Sequence, residues 1–177
     1  MSLTIRKLKE SEIGRELFRS FERRQVVTQC LRRRNGVWQA EYAPFIDQWS
    51  EEDYGTLICC LRRTVRSGGV VFAAFPDGKC KGFVSVEPAL FGLRREYMDL
   101  SSLHVSEELR GQGLGRLLFR KAAAWAREHG ARKLYISSHS AVETQAFYRA
   151  MGCVDAVEIH EAHAQQEPFD RPLEYRL

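Results

Sequence analysis

Residues 97–130, YMDLSSLHVSEELRGQGLGRLLFRKAAAWAREHG, constrain this chain more than any other stretch. Residues 97–105 mix apolar and small side chains in the manner of a strand, and 106–115 form a turn rich in charge and glycine. Apolar residues then recur at Leu114, Leu117, Leu118, Ala122, Trp125 and Ala126, the spacing of one helix face. His129-Gly130 supplies a stop, with glycine suited to the left-handed position after a helix. A strand, a glycine-rich turn and a helix in succession make an anion site. The first N–H groups of a helix have no partner within it, and the helix dipole adds partial positive charge there. Gly111, Gly113 and Gly115 put no side chain in the way, so the pattern predicts a phosphate or pyrophosphate ligand.

The order Arg110-Gly111-Gln112-Gly113-Leu114-Gly115 lacks the Gly-Lys-Ser/Thr of a P-loop. Its glycines fall at every second residue, which is not the dinucleotide fingerprint either. It reads instead as Arg-x-x-Gly-x-Gly. Leu103-His104-Val105 precedes it and Leu117-Leu118 follows. A second block lies downstream, Ala146-Phe147-Tyr148-Arg149-Ala150-Met151-Gly152-Cys153. On these two blocks together the sequence resembles the GNAT family of acyl-CoA-dependent N-acetyltransferases. The resemblance covers residues 70–177 and only loosely what comes before.

Composition agrees with one soluble domain. The apolar fraction of 44% and charged fraction of 28% are ordinary for a globular protein, and no apolar run has the length of a membrane span. The N-terminus, MSLTIRKLKESE, has charge but no apolar core of a secretory signal. Cys30, Cys59, Cys60, Cys80 and Cys153 show no framework spacing and no zinc pattern, so mostly buried, reduced thiols in a cytoplasm are expected. Net charge is +4, with arginine clusters at 23–24, 32–34, 62–63 and 94–95. These are scattered and lack interleaved aromatics, which favours solvated faces over nucleic-acid binding.

Along the chain, residues 3–9 read as a first strand and Ser11 as the cap of a helix reaching about Phe21. Asn35-Gly36 between two runs of β-formers, 25–34 and 37–42, predicts a hairpin, against a helical alternative for 22–34. Residues 44–49 read as loop. Ser50 caps a helix with a stripe of Tyr54, Leu57, Ile58, Leu61 and Val65, ended by Gly68-Gly69. Strands follow at 70–75 and 80–89, with Pro88 marking the edge or end of the second. Beyond the long helix come a strand at 133–137, a helix at 142–151, a strand at 154–159, an acidic loop and a last strand at 172–176. The mixture predicts an α/β fold, a mixed sheet of about seven strands with a hairpin at each end. The resemblance implies the GNAT-like fold with about four flanking helices in a single domain, 1–177. In it, 1–69 would shape the acceptor site and 70–177 would hold acetyl-CoA, with no metal.

Acetyl transfer from a thioester to an amine sets four requirements. The donor must be held by its pyrophosphate, for which the N–H groups from Gly111 through Gln112, Gly113, Leu114 and Gly115 to Arg116 are suited, with the charges of Arg110 and Arg116 nearby. Its extended arm needs free backbone, which the resemblance places at Leu103, His104 and Val105, where the sheet splays after a bulge. The acceptor ammonium must lose a proton. Asp99 is the first choice for that base and Glu87 the second, with His104 and His139 also near strand ends; each carboxylate can equally be an ion-pair partner. Alternation turns His104 away from the face of Leu103 and Val105, which suits a structural role. The leaving thiolate needs a proton, and Tyr148 stands where the family's general acid stands. One departure is visible: the asparagine often found seven residues before that tyrosine is Ala141 here, with Thr144 and Ser138 the nearby polar side chains.

Residues 153–177 hold Asp155, Glu158, Glu161, Glu167, Asp170 and Glu174, which suggests a cationic amine acceptor: a small amine, an aminoglycoside-like compound or a peptide amine. The competing reading of the whole chain is a catalytically idle acyl-CoA sensor on the same fold. Family habit and exposed aromatics add a homodimer as an expectation.

Overall fold

The computed structural model describes residues 2–177. Its central strands are apolar without interruption because both of their faces are covered. β4 (Val70–Pro76) shows the arrangement: Val70 and Ala74 join a cluster with helix α2 (Leu114–Glu128), while Val71 and Ala73 join one with helix α1 (Glu51–Arg66). The first cluster holds Leu118, Phe119, Ala122, Trp125 and Ala126, the predicted face of α2. The second holds Leu8, Ile13, Phe18, Phe21, Tyr54, Leu61 and Phe83. Burying a side chain of this size contributes about 1.5–3 kcal/mol, so these two layers are the main stabilising contribution to the fold.

One seven-stranded sheet runs in the order β1 (Leu3–Lys7), β4, β5 (Gly82–Val86), β6 (Tyr97–Val105), β7 (Lys133–Ser138), β9 (Arg171–Arg176), β8 (Val154–Asp155). Every pairing is antiparallel except β6 with β7, which is parallel. Helix α3 (Val142–Met151) follows β7, and a short α4 (Glu161–Gln166) precedes β9. The mixed sheet and its four α-helices agree with the expected architecture.

A separate two-stranded sheet, β2 (Arg24–Arg34) and β3 (Val37–Gln48), is the hairpin that Asn35-Gly36 predicts. Both turn residues have positive φ, 51° and 81°, the geometry whose twist matches the flanking strands. β3 continues through residues 44–48, which read as loop in the sequence. The register shifts between Val27 and Gln29, so that Ala43-Pro44 bulges and the proline needs no ladder hydrogen bond.

Three further expectations are corrected. The helix from Ser11 to Phe21 is two 3₁₀ turns, Glu10–Glu12 and Arg15–Phe18, separated by the extended Gly14. Packing of Ile13 and Phe18 under α1 decides this, with Arg62 Nε donating to the Ile13 carbonyl at 2.6 Å. The strand at 154–159 stops at Asp155, because the chain leaves the edge to cover Tyr135, where the His160 N–H reaches the Tyr135 hydroxyl at 3.2 Å. Part of the acidic loop beyond it is α4. Among the described residues no helix is long and apolar enough to cross a membrane. No cysteine is in a disulfide; Cys30, Cys80 and Cys153 are buried, Cys60 half-buried and Cys59 exposed.

Candidate active site

The two long helices begin differently. α1 is closed by a capping box: the Ser50 hydroxyl accepts from the Asp53 N–H at 3.2 Å, and Asp53 accepts from the Ser50 N–H at 2.7 Å. α2 begins at Gly113 with φ 87°, and no side chain caps it. Its first N–H groups are therefore left for a ligand. Gly111 (φ 75°) and Gly113 lie in left-handed geometry with open space where a Cβ would stand. Gly115 has another reason: a Cβ there would meet Phe147 of α3 at 3.1 Å, so glycine lets the two helices approach.

The turn opens on a cleft of about 800 Å³. One wall is β6, whose ladder to β7 ends at the pair Asp99–Tyr135. Beyond it Leu100–Val105 pair only with β5, and a register shift between Ser85 and Val86 leaves Ser101 as the bulged residue. The expected bulge and splay are both present, and the cleft enters the wedge between the strands. Leu103 and Val105 line it. His104 also borders it, but its ring packs between Trp49 and Phe83, at 4.8 and 5.4 Å. Burial, with the Arg23 and Arg110 charges, pushes its pKa down to about 3. That agrees with a structural histidine.

Among the predicted turn residues, Arg110, Gly111, Gly113, Gly115 and Arg116 line the cleft. Arg110 is half-buried and donates from Nε to the Val105 carbonyl at 3.1 Å. Burial and the neighbouring Arg23 lower its pKa. Gln112 turns back, donating from Nε2 to the Glu108 carbonyl at 3.0 Å. Leu114 is buried in the core and offers the site only its backbone.

α3 supplies the opposite wall with Glu143, Thr144, Phe147, Tyr148 and Met151. The Tyr148 side chain is buried, and its hydroxyl has no hydrogen-bond partner among the described residues. Burial raises its pKa, so the phenol keeps its proton. The hairpin roofs the site. It contributes Gln25 to the lining, with Arg23 just before it, and touches the chain just before α3, where Cys30 bridges Ala141. Arg23 is held against Trp49 and Asp47, and its Nε is buried without a partner. Nothing in the periodicity of the sequence marked Arg23 or Gln25, because their place depends on how a whole hairpin docks.

Asp99 and Glu87 lie on the α1 side of the sheet, outside the cleft lining. Glu87 accepts from Thr64 Oγ1 at 2.6 Å and from Ser101 Oγ at 2.8 Å. Asp99 Oδ2 is 2.7 Å from His163 Nε2 on α4. The carboxylates that do line the cleft are Glu143, Glu167 and Asp170. Asp170 accepts from Ser137 Oγ at 3.0 Å, and burial raises its pKa. His139 lies alongside with its ring 5.7 Å from Phe45 of the hairpin. Of the other C-terminal acids, Asp155 pairs with Arg171 and Glu174 with Lys133; Glu158 accepts from the Leu93 N–H, and Glu161 is exposed on α4. Among the described residues no group of three or more His, Cys, Asp or Glu is placed to hold a metal.

Residues 34–153 match the model of the Acetyltransferase (GNAT) family. Among solved structures, a nourseothricin acetyltransferase aligns over 98% of this chain and 96% of its own, with TM-score 0.68 and 19% identity. A Bacillus anthracis str. Ames protein described as a candidate streptothricin acetyltransferase, in complex with acetyl coenzyme A, aligns over 100% and 98%, with TM-score 0.73 and 16% identity. The PaiA N-acetyltransferase of Thermoplasma acidophilum, in complex with coenzyme A, aligns over 100% of both chains, with TM-score 0.60 and 17% identity. At these identities the structures share a fold with this chain. No curated protein sequence matches it.

Proposed function

This chain belongs to the acetyltransferase (GNAT) family and is an acetyl-CoA-dependent acyltransferase, and from that premise we propose that it acetylates a primary amine of a small molecule or peptide by direct transfer. The observation that carries the reading is a convergence: the uncapped start of α2, the length of β6 that has left β7, and Tyr148 line one cleft. The first would hold the pyrophosphate through the N–H groups of Gly111 to Arg116, with Arg110 and Arg116 supplying charge. On its side away from β5, the second offers backbone along Leu103 to Val105 to an extended amide-bearing arm, with the Val105 carbonyl held by Arg110. Thr144 faces that arm from α3. When bound, acetyl-CoA supplies an acetyl group activated as a thioester. A backbone N–H of the splayed strand polarises the carbonyl as charge develops on its oxygen, and one such donor is worth about 2.7–4 kcal/mol in hydrolases. Tyr148, protonated and unengaged, gives its proton to the departing sulfur.

Residues 1–69 shape the acceptor side in this reading and 70–177 the donor side. The hairpin, Glu167 and Asp170 enclose the space that the amine would enter. Those two carboxylates favour a cationic acceptor. Nourseothricin and streptothricin, named for two structural neighbours, are the first acceptors to try. Reduced cysteines agree with a cytoplasmic protein.

Calorimetric titration with acetyl-CoA tests the donor site. Binding that is lost in Gly113→Trp supports it, and no binding at millimolar acetyl-CoA sinks it. Acetylation of an amine by the wild type then separates an enzyme from an idle sensor, and Tyr148→Phe tests the tyrosine. It should retain acetyl-CoA affinity and lose about 10–100-fold in kcat, whereas equal turnover by the variant removes the tyrosine from the mechanism.

A further inference from the structure

Asp99 and His163 are 64 residues apart and meet at the apex of the wedge between β6 and β7. Asp99 belongs to the last β6–β7 ladder pair, Asp99–Tyr135. Two residues further along each strand, Ser101 and Ser137 line the cleft. His163 lies over this apex: its ring stacks on Tyr135 at 6.1 Å with an interplanar angle of 17°. Its Nε2 meets Asp99 Oδ2 at 2.7 Å. The other carboxylate oxygen, Oδ1, is buried without a partner, so an acceptor amine cannot reach Asp99 directly. A carboxylate so enclosed needs a donor beside it, which makes Nε2 the protonated ring nitrogen and leaves Nδ1 with a lone pair. Among the described residues no group pairs with Nδ1, and the imidazole keeps 27% of its surface.

We infer that His163 is the proton acceptor for the attacking amine and that Asp99 is its positioning residue. This rests on the amine-acetylation reading above. The acceptor R–NH3⁺ gives one proton to Nδ1, directly or across one water. The lone pair so freed forms the N–C bond to the acetyl carbon, and the C–S bond breaks with its electron pair on sulfur. Sulfur gains a proton from Tyr148, which is reprotonated from solvent. The second nitrogen proton and the one on His163 return to solvent. The sum is amide, thiol and one released proton.

The groups facing His163 set where it titrates. Asp99 comes from β6, Glu87 from just after β5, Asp170 from the segment after α4, Tyr135 from β7, and His160 from just before α4, ring to ring at 4.6 Å. The hydrogen bond to Asp99, aided by the charges of Asp170 and Glu87, raises its pKa against the opposing effect of burial. A neutral imidazole with a raised pKa is a stronger base toward the ammonium proton.

The test uses the full chain with acetyl-CoA and three probe amines: nourseothricin, spermidine and a short lysine peptide. His163→Gln keeps an amide N–H for Asp99 but cannot take a proton. With the amine that turns over, wild type should show kcat/KM rising with pH through one ionisation. H163Q should lose that limb and about 100-fold in kcat while binding acetyl-CoA as before. Asp99→Asn should keep the limb and move it to lower pH. NMR of the free protein reads the pair without turnover: Nε2–H in neutral His163, and a titration that moves to lower pH in D99N. An unchanged limb with turnover within threefold in H163Q, or an Nδ1–H tautomer, overturns the assignment and leaves amine acetylation standing. No transfer to any probe by wild type that binds acetyl-CoA overturns both.

Discussion

Cys30, in the middle of β2, forms a backbone bridge with Ala141, the residue that begins α3. The Leu31 N–H next to it donates to the Ser140 carbonyl at 2.7 Å, and Arg32 donates to Ser140 Oγ at 2.8 Å. Val27, Cys30 and Ala141 make a small core of their own, with Ala43 packed against it. The hairpin is thereby fastened to the entrance of the helix that carries Tyr148. Ala141 is fully buried in that small core, which leaves little room for a longer side chain. Residues 22–24 fasten the other end, where Glu22 and Arg24 engage Ser106 and Glu107 at the head of the glycine turn.

Ala141→Asn should therefore destabilise the protein and should not tighten acetyl-CoA binding. Overpacking a fully buried site costs about 1–3 kcal/mol, and a buried amide without partners adds to it. Urea unfolding and acetyl-CoA titration of the same variant check both halves. A variant as stable as wild type that binds acetyl-CoA more tightly would show that the hairpin yields and that the position belongs to the donor site.

The burial of His104 makes stability fall in mild acid. Its pKa of about 3 lies below the ordinary value of 6.5, so the neutral form is the one that folds. Its contribution is complete above about pH 6.5 and is lost as pH falls from there toward 3. Between pH 7.5 and 4.5 this amounts to about 2–3 kcal/mol. His163 has the opposite sign. Its raised pKa stabilises below about 6.5 and that contribution is lost as pH rises through the folded value. Urea titrations at the two pH values should show the acid loss in wild type and much less of it in His104→Phe, which keeps the ring against Trp49 and Phe83. Equal losses in the two proteins would place the acid sensitivity elsewhere.

A cationic acceptor should feel Glu167 and Asp170 and be indifferent to Glu161. The first two line the cleft, whereas Glu161 stands exposed on α4. The double variant Glu167→Gln, Asp170→Asn should raise KM for a polyamine probe about tenfold, at roughly 0.7 kcal/mol for each charge. KM for acetyl-CoA should not change, and Glu161→Gln should stay within twofold for both substrates. An unchanged polyamine KM in the double variant would mean that the acceptor is not recognised through its charge.

Local signals account for what was readable in the chain. Spacing at 3.6 residues located α2, and the glycines of its turn foretold an uncapped helix start because only short-range sterics are involved. Asn35-Gly36 foretold the hairpin, since both turn positions need positive φ. Ser50 foretold the start of α1. Each feature depends on neighbours within a few residues. Other features depended on partners far along the chain. Gly14 and the docking of Ile13 and Phe18 turned a plausible amphipathic helix into two 3₁₀ turns. Pro44 stayed in a strand because a bulge relieved its missing N–H. Asp99 met His163 only after a helix formed within a segment whose composition suggested an acidic loop. The sequence by itself determined α1, α2, the hairpin and the open glycine turn before α2, because hydrophobic period and glycine geometry act locally. Only the tertiary structure decided which charges share the cleft, because burial and opposing charge act through space, between elements whose separation no spacing in the chain records.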